Sequence, residues 1–173
     1  DFINNNFDLK IDIKKVHIDK ENQLKNLLGN LSFKNNKILK VDIDAFFSDQ
    51  EKMKFTVNTK DNDKVTTLFL DRAEPLVKRY KFIKGFKNGS LDFYSVSRAD
   101  KSNSTLKIYD FNLKELPILT KILTLASLQG IADILSGEGI TFDEFEMNFR
   151  NEKKGITFDE IYAIGPAISI LMD

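Results

Sequence analysis

The sequence has no cysteine and no tryptophan, and only one histidine, His17. Without thiols there is no thiol nucleophile, no disulfide framework and no cysteine-held metal. That composition fits the cytoplasm and the periplasm equally. A histidine-based triad would rest on His17 alone, between Val16 and Ile18 at a strand end, where a surface or turn histidine is the plainer reading. Net charge is also lacking. The 173 residues carry 26 basic and 26 acidic side chains, so no global field draws the chain to nucleic acid. No glycine-rich nucleotide loop, GxSxG or HExxH occurs. These absences lead to the expectation of a non-enzymatic protein without cofactor or metal. No charged-then-apolar leader is visible, and the chain stops directly after the apolar run 167–171. Natural domains seldom end inside a strand pattern, so residues 1–173 are expected to be a single segment of a longer chain.

Period-two alternation is abundant, and it predicts half-buried strands. Phe7, Leu9, Ile11 and Ile13 alternate with Asp8, Lys10 and Asp12. Leu31 and Phe33 begin a second strand, ended by a turn at Asn35-Asn36. Leu39, Val41 and Ile43 alternate with Lys40, Asp42 and Asp44. Phe55 and Val57 follow, then a polar turn at Asp61-Asn62-Asp63 and a strand over 65–70. Leu91 and Phe93 alternate with Ser90 and Asp92, and Leu106 and Ile108 lie beside Lys107 and Tyr109. Short polar connections predict an antiparallel meander. One apolar and one charged face mark a sheet wetted on one side. The fold class expected is mainly β with a few helices.

Two short helices are expected: one from a cap at Asp19 through Leu28, closed by Gly29, and one from a cap at Asp71 over 72–83, closed by Gly85. A much longer helix is expected over 116–135, opened by Pro117 and closed by Ser136-Gly137-Glu138-Gly139. Its apolar residues, among them Leu119, Ile122, Leu123, Leu128 and Ile131, cover more than one face, whereas a surface helix needs a single stripe. About 20 apolar residues are needed to span a bilayer, and Lys121, Gln129 and Asp133 break the run. The open alternatives are a core helix on the apolar side of the sheet, or a helix that caps an apolar groove or lies at a membrane surface.

Gly139-Ile-Thr-Phe-Asp-Glu-Phe145 recurs as Gly155-Ile-Thr-Phe-Asp-Glu-Ile161. In the first copy Ile140 and Phe142 have one parity, and Phe145, Met147 and Phe149 the other. That change predicts a bulge or bend at Asp143-Glu144. Asp143, Glu144, Glu146, Asp159 and Glu160 could be imagined as a carboxylate pair for glycoside hydrolysis, but they flank turns and alternate outward, as a solvated face does. Lys78, Arg79, Lys81, Lys84 and Lys87, interleaved with Tyr80, Phe82 and Phe86, form the one basic patch. Spacing by three places Lys78, Lys81 and Lys84 on one helix face. The patch is most simply solvated; as a ligand, anionic lipid suits the chain better than nucleic acid.

The succession Asp110 to Pro117, Leu119 to Leu125, Ala126-Ser-Leu-Gln-Gly130, and Ser136-Gly-Glu-Gly-Ile-Thr-Phe-Asp143, followed by Gly165-Pro166-Ala167, resembles the C-terminal AsmA-like region of the YhdP family. Upstream, Asp71-Arg-Ala-Glu-Pro75 and Gly85-Phe-Lys-Asn-Gly89 resemble the family's helix-and-turn step before a strand. The likeness covers roughly residues 24 to 172. It implies a long sheet curled into a trough, apolar inside. It also implies a place in the periplasm, as part of an inner-membrane-anchored protein of a Gram-negative-type bacterium that moves phospholipid between the two membranes.

Under that expectation phospholipid acyl chains are the partner. The groove would be lined by Leu31, Phe33, Leu39, Val41, Ile43, Phe55, Val57, Leu91, Phe93, Leu106, Ile108, Phe145, Met147 and Phe149. The helix over 116–135 would cap one end or touch a membrane. The alternative is a structural or assembly module that binds envelope proteins and carries no lipid.

Overall fold

The computed structural model describes residues 6–35, 37–79, 84–115, 139–166 and 169–172. Among these, ten strands form one antiparallel sheet in strict sequence order. They are β1 (Phe7–His17), β2 (Gln23–Lys34), β3 (Lys37–Phe46), β4 (Lys52–Lys60), β5 (Asp63–Leu70), β6 (Lys84–Arg98), β7 (Lys101–Glu115), β8 (Ile140–Glu152), β9 (Gly155–Ile164) and β10 (Ser169–Met172). The sheet is open, with β1 and β10 at its edges. A single short helix, α1 (Glu74–Arg79), is described, between β5 and β6. The mainly β class and the meander agree with the alternation of the sequence. The long helix expected over 116–135 lies outside the described residues.

Connections alternate between the two ends of a meander. Tight turns at Asn35, Asp61-Asn62, Ala99-Asp100 and Lys153-Lys154 occupy one end, which we call the hairpin end. The longer connections leave from the other end, and the main buried cluster gathers there: Leu24, Ala45, Phe47, Leu70, Ala73, Val77, Phe86, Phe111, Leu113, Ile140 and Phe142.

Two helix expectations are corrected. Residues 19–28 are not helical. The Asp19 carboxylate accepts the backbone N–H groups of Glu21 and Asn22, each at 2.7 Å, closing a tight turn from which β2 departs. The spacing of Leu24 and Leu27 by three imitates a helix. Its cause is Asn26, with φ 49°, next to an irregularity in pairing with β3. A local break lets residues three apart share one face of a strand.

The second helix is much shorter than 72–83 and starts later. Ala73 donates its N–H to the Gly89 carbonyl at 2.6 Å, which holds 72–73 out of the helix. The Asp71 carboxylate caps nothing; it accepts the Lys52 N–H at 2.8 Å. Pro75 sits in the first turn, where its missing N–H is harmless. Lys78 pairs with Glu74, and Arg79 donates to the Ile18 carbonyl at 3.0 Å, tying α1 to the turn after β1. Gly85 and Lys84 belong to β6, so Lys84 cannot share a helix face with Lys78; Lys81 lies outside the described residues.

The change of parity read within 140–149 is present, since Phe142 is buried and Phe145 packs against the same cluster, but the register with β7 runs past it without an inserted residue. Phe142 pairs with Phe111 and Glu144 with Tyr109, leaving Asp143 and Asp110 without direct partners. Asp110 has φ 52°. The matched breaks keep Ile140, Phe142 and Phe145 on one face. Beyond them Phe86, Phe111 and Phe142 stack across β6, β7 and β8, with centroids 5.3 and 5.2 Å apart.

Candidate functional site

Cross-strand partners share a face of a sheet, so the register can be followed from edge to edge. Ile11 lies opposite Gly29, Gly29 opposite Ile43, and Ile43 opposite Phe55. The row continues through Leu68, Phe93, Leu106, Met147, Ile161 and Met172. One row therefore crosses all ten strands without a polar side chain. The next row toward α1 runs Ala45, Met53, Leu70, Leu91, Ile108, Phe145, Ala163 and Ile170.

Every expected groove residue except Leu39 is placed on this apolar face by its register. Leu39 falls at the irregularity near Phe33 and has no partner in the register. Val41, Val57, Leu91 and Ile108 are buried. Leu31, Phe33, Leu39, Ile43, Phe55, Phe93, Leu106, Phe145, Met147 and Phe149 are half-buried. The cap-helix residues Leu119, Ile122, Leu123, Leu128 and Ile131 lie outside the described residues.

The opposite face is charged and internally paired. Lys54 lies 3.3 Å from Asp42 and 3.2 Å from Asp44. Lys107 lies 2.7 Å from Glu146 and 3.8 Å from Glu144. Arg150 reaches Asp159 at 2.6 Å, and Asn148 reaches Glu160 at 3.4 Å. The hydrogen bond from Lys107, joined by one from Asn148, holds the Glu146 carboxyl below its usual range. The acidic residues of β8 and β9 thus serve as partners for cations on the wetted face. Among the described residues no group of three or more His, Asp or Glu could hold a metal ion. His17, at the end of β1, is exposed.

Of the basic patch, Lys78 and Arg79 have the partners named above, and Phe86 is 1% exposed, in the core rather than between cations.

The third row, toward the hairpin end, changes character across the sheet. It runs Leu9, Leu31, Val41, Val57, Thr66, Ser95, Ser104, Phe149 and Phe158. The fourth, from β4 to β7, is Thr59, Lys64, Ser97 and Ser102. Ser95 and Ser104 are each 6% exposed, and the Ser104 hydroxyl donates to that of Ser95 at 2.9 Å. The apolar face therefore contains a hydroxyl-rich notch on its middle strands, flanked by the Phe7–Phe33 and Phe149–Phe158 pairs. A cavity of about 470 Å³ opens there, lined by Phe33, Lys37 and Ile38 from one side and Thr59, Lys64 and Ser97 from the other. On a flat sheet β3 and β6 would be about 14 Å apart. Both line one cavity because the short side chains between them leave a depression in the face.

Alternation alone did not reach the notch or the contributions of Ile11, Leu68, Ile161 and Met172. The β1 and β9 residues carried the same period-two signal as the expected lining. The hydroxyls carried none, because a serine on an apolar face and a serine in solvent read alike. Comparison with protein-family models, with curated proteins and with solved structures finds no match to this chain.

Proposed function

We propose that this chain is a lipid-conducting segment of the AsmA-like, YhdP type, with its sheet curled into a trough that holds phospholipid acyl chains along the apolar face. It would work in the periplasm, within an inner-membrane-anchored protein that passes phospholipid between the inner and outer membranes. No chemistry is asked of its residues. The observation that carries the reading is the unbroken apolar row from Ile11 to Met172.

The cavity at the hairpin end supports the trough. So do the local breaks at Asn26, Asn88 and Asp110, each with positive φ, because such breaks increase twist and bend a sheet. Acyl chains bind such a surface without directional bonds, at about 0.8 kcal/mol per buried methylene. Polarity on the outer face and salt bridges across it keep that side in water.

A photo-crosslinking amino acid at Phe93 or Val41, introduced in cells, should capture phospholipid. The same group at Tyr94, on the charged face and 50% exposed, should not. Capture at Tyr94 alone would sink the reading.

The two open sheet edges favour a second reading, a module that assembles with other envelope proteins through β1 or β10. Native mass spectrometry of protein purified from cells separates the two: lipid adducts belong to the first reading, and their absence to the second.

A further inference from the structure

Lys64 stands out when the apolar face is read residue by residue. In the two rows of that face nearest the hairpins it is the one charged side chain among the described strand residues, placed between Thr59 on β4 and Ser97 on β6. On the opposite face Lys54 and Lys107 each meet two carboxylates. Lys64 is exposed, and among the described residues no carboxylate lies within salt-bridge distance of it. Lys37, on the rim of the same cavity, is likewise exposed. The single acid of that rim, Asp61, sits in the turn joining β4 to β5.

The polar side chains around Lys64 are hydroxyls: Thr59, Ser97, Ser102 and, one row deeper, Thr66, Ser95 and Ser104. Thr59 gives its proton to the Ile38 carbonyl and Ser104 to Ser95, so Ser97 is the hydroxyl beside Lys64 that lines the cavity with its proton uncommitted to those bonds. An ammonium with no carboxylate partner, beside the Ser97 hydroxyl, suits a phosphate, whose oxygens accept several charge-assisted hydrogen bonds at once. Along β5 the same face changes from Lys64 and Thr66 to Leu68 and the buried Leu70. That run covers about 20 Å at strand spacing, which matches an extended acyl chain. Phe93, Leu106 and Met147 continue the apolar row at the level of Leu68.

We propose that the notch at the hairpin end is a phospholipid headgroup site, in which Lys64 holds the phosphate, Ser97 donates beside it, Lys37 adds charge at the rim, and the acyl chains run toward Leu70. The polarity gradient gives the bound lipid one orientation, headgroup at the hairpins and tails toward the α1 end. This rests on the acyl-binding reading above and adds to it a site for the headgroup, a direction and the residues that select it.

The test uses the whole chain and two ligands with the same acyl chains, phosphatidylglycerol and diacylglycerol, with binding measured by native mass spectrometry and by fluorescence titration. Lys64→Glu and, separately, Lys37→Glu should weaken phosphatidylglycerol binding, by about tenfold for Lys64→Glu, and leave diacylglycerol unchanged. Lys60→Glu makes the same charge change on the opposite face of the same hairpin and should alter neither. If Lys64→Glu and Lys60→Glu weaken phosphatidylglycerol equally, or Lys64→Glu weakens neither ligand, the headgroup site is wrong while the groove stands. If the unaltered chain binds neither ligand, the groove itself fails, and the headgroup site with it.

Discussion

Gly139 shows how a single backbone position shapes the sheet. It enters β8 with φ 87°, and a Cβ there would stand 2.5 Å from the Leu113 carbonyl oxygen and 3.0 Å from the Lys114 Cα. Left-handed geometry and close backbone approach together exclude a side chain. Gly139→Ala should therefore destabilise the chain by about 1–3 kcal/mol, read as a shifted midpoint in urea unfolding. Gly155 opens the second copy of the repeat, also at positive φ, but a Cβ there meets nothing within 4 Å. Gly155→Ala should cost less than Gly139→Ala in the same measurement, because it adds no clash.

Among the elements, β6, β7 and β8 carry the main packing device, the stack of Phe86, Phe111 and Phe142. Phe111 is the middle ring and 4% exposed. Phe111→Ala removes both stacking contacts and leaves a cavity, and should cost about 3–5 kcal/mol, measured by chemical denaturation. The stack depends on matched breaks at Asp110 and Asp143, which keep the rings on the apolar face. The parity conflict within 140–149 made the break in β8 legible in the sequence. Its partner in β7 was not, because the Tyr109-Asp110-Phe111 run can be read with either parity. The first half of β2 was hidden for a related reason: the break at Asn26 gives Leu24 and Leu27 a helical spacing inside a strand.

Across the whole molecule, ion pairs concentrate on the charged face and set the response to pH. Hydrogen bonds from Lys107 and Asn148 hold Glu146 low, and a bidentate contact from Arg98 holds Asp63 low. A carboxylate whose folded value lies below its unfolded value of about 4 contributes stability that is complete above that value. It is lost as pH falls through the folded value. Lys107 and Lys54 are shifted up by their acidic partners, so their contribution is present below the unfolded value of about 10.4 and lost as pH rises through the folded one. Thermal unfolding should therefore give a plateau between about pH 5 and 9, falling below about pH 4. Glu146→Gln should lower the plateau slightly and flatten the acid limb. An acid limb identical to the parent would show that this pair adds nothing.

Sequence alone determined the antiparallel meander and the split between an apolar and a charged face, because a strand's period of two is local and each segment declares its own faces. The face on which most of the expected lining residues lie was legible for that reason. Tertiary structure decided where along the face each residue falls. Ile140 and Phe142 are 0% and 2% exposed, whereas Ile156 and Phe158, in the second copy of the same motif, are 58% and 56% exposed. The copies lie at opposite ends of adjacent antiparallel strands, one beside the packed end and one at the hairpins. The notch around Lys64 has the same origin. Its polar residues come from four strands, and only the register brings them together on a face whose other strand residues are overwhelmingly apolar.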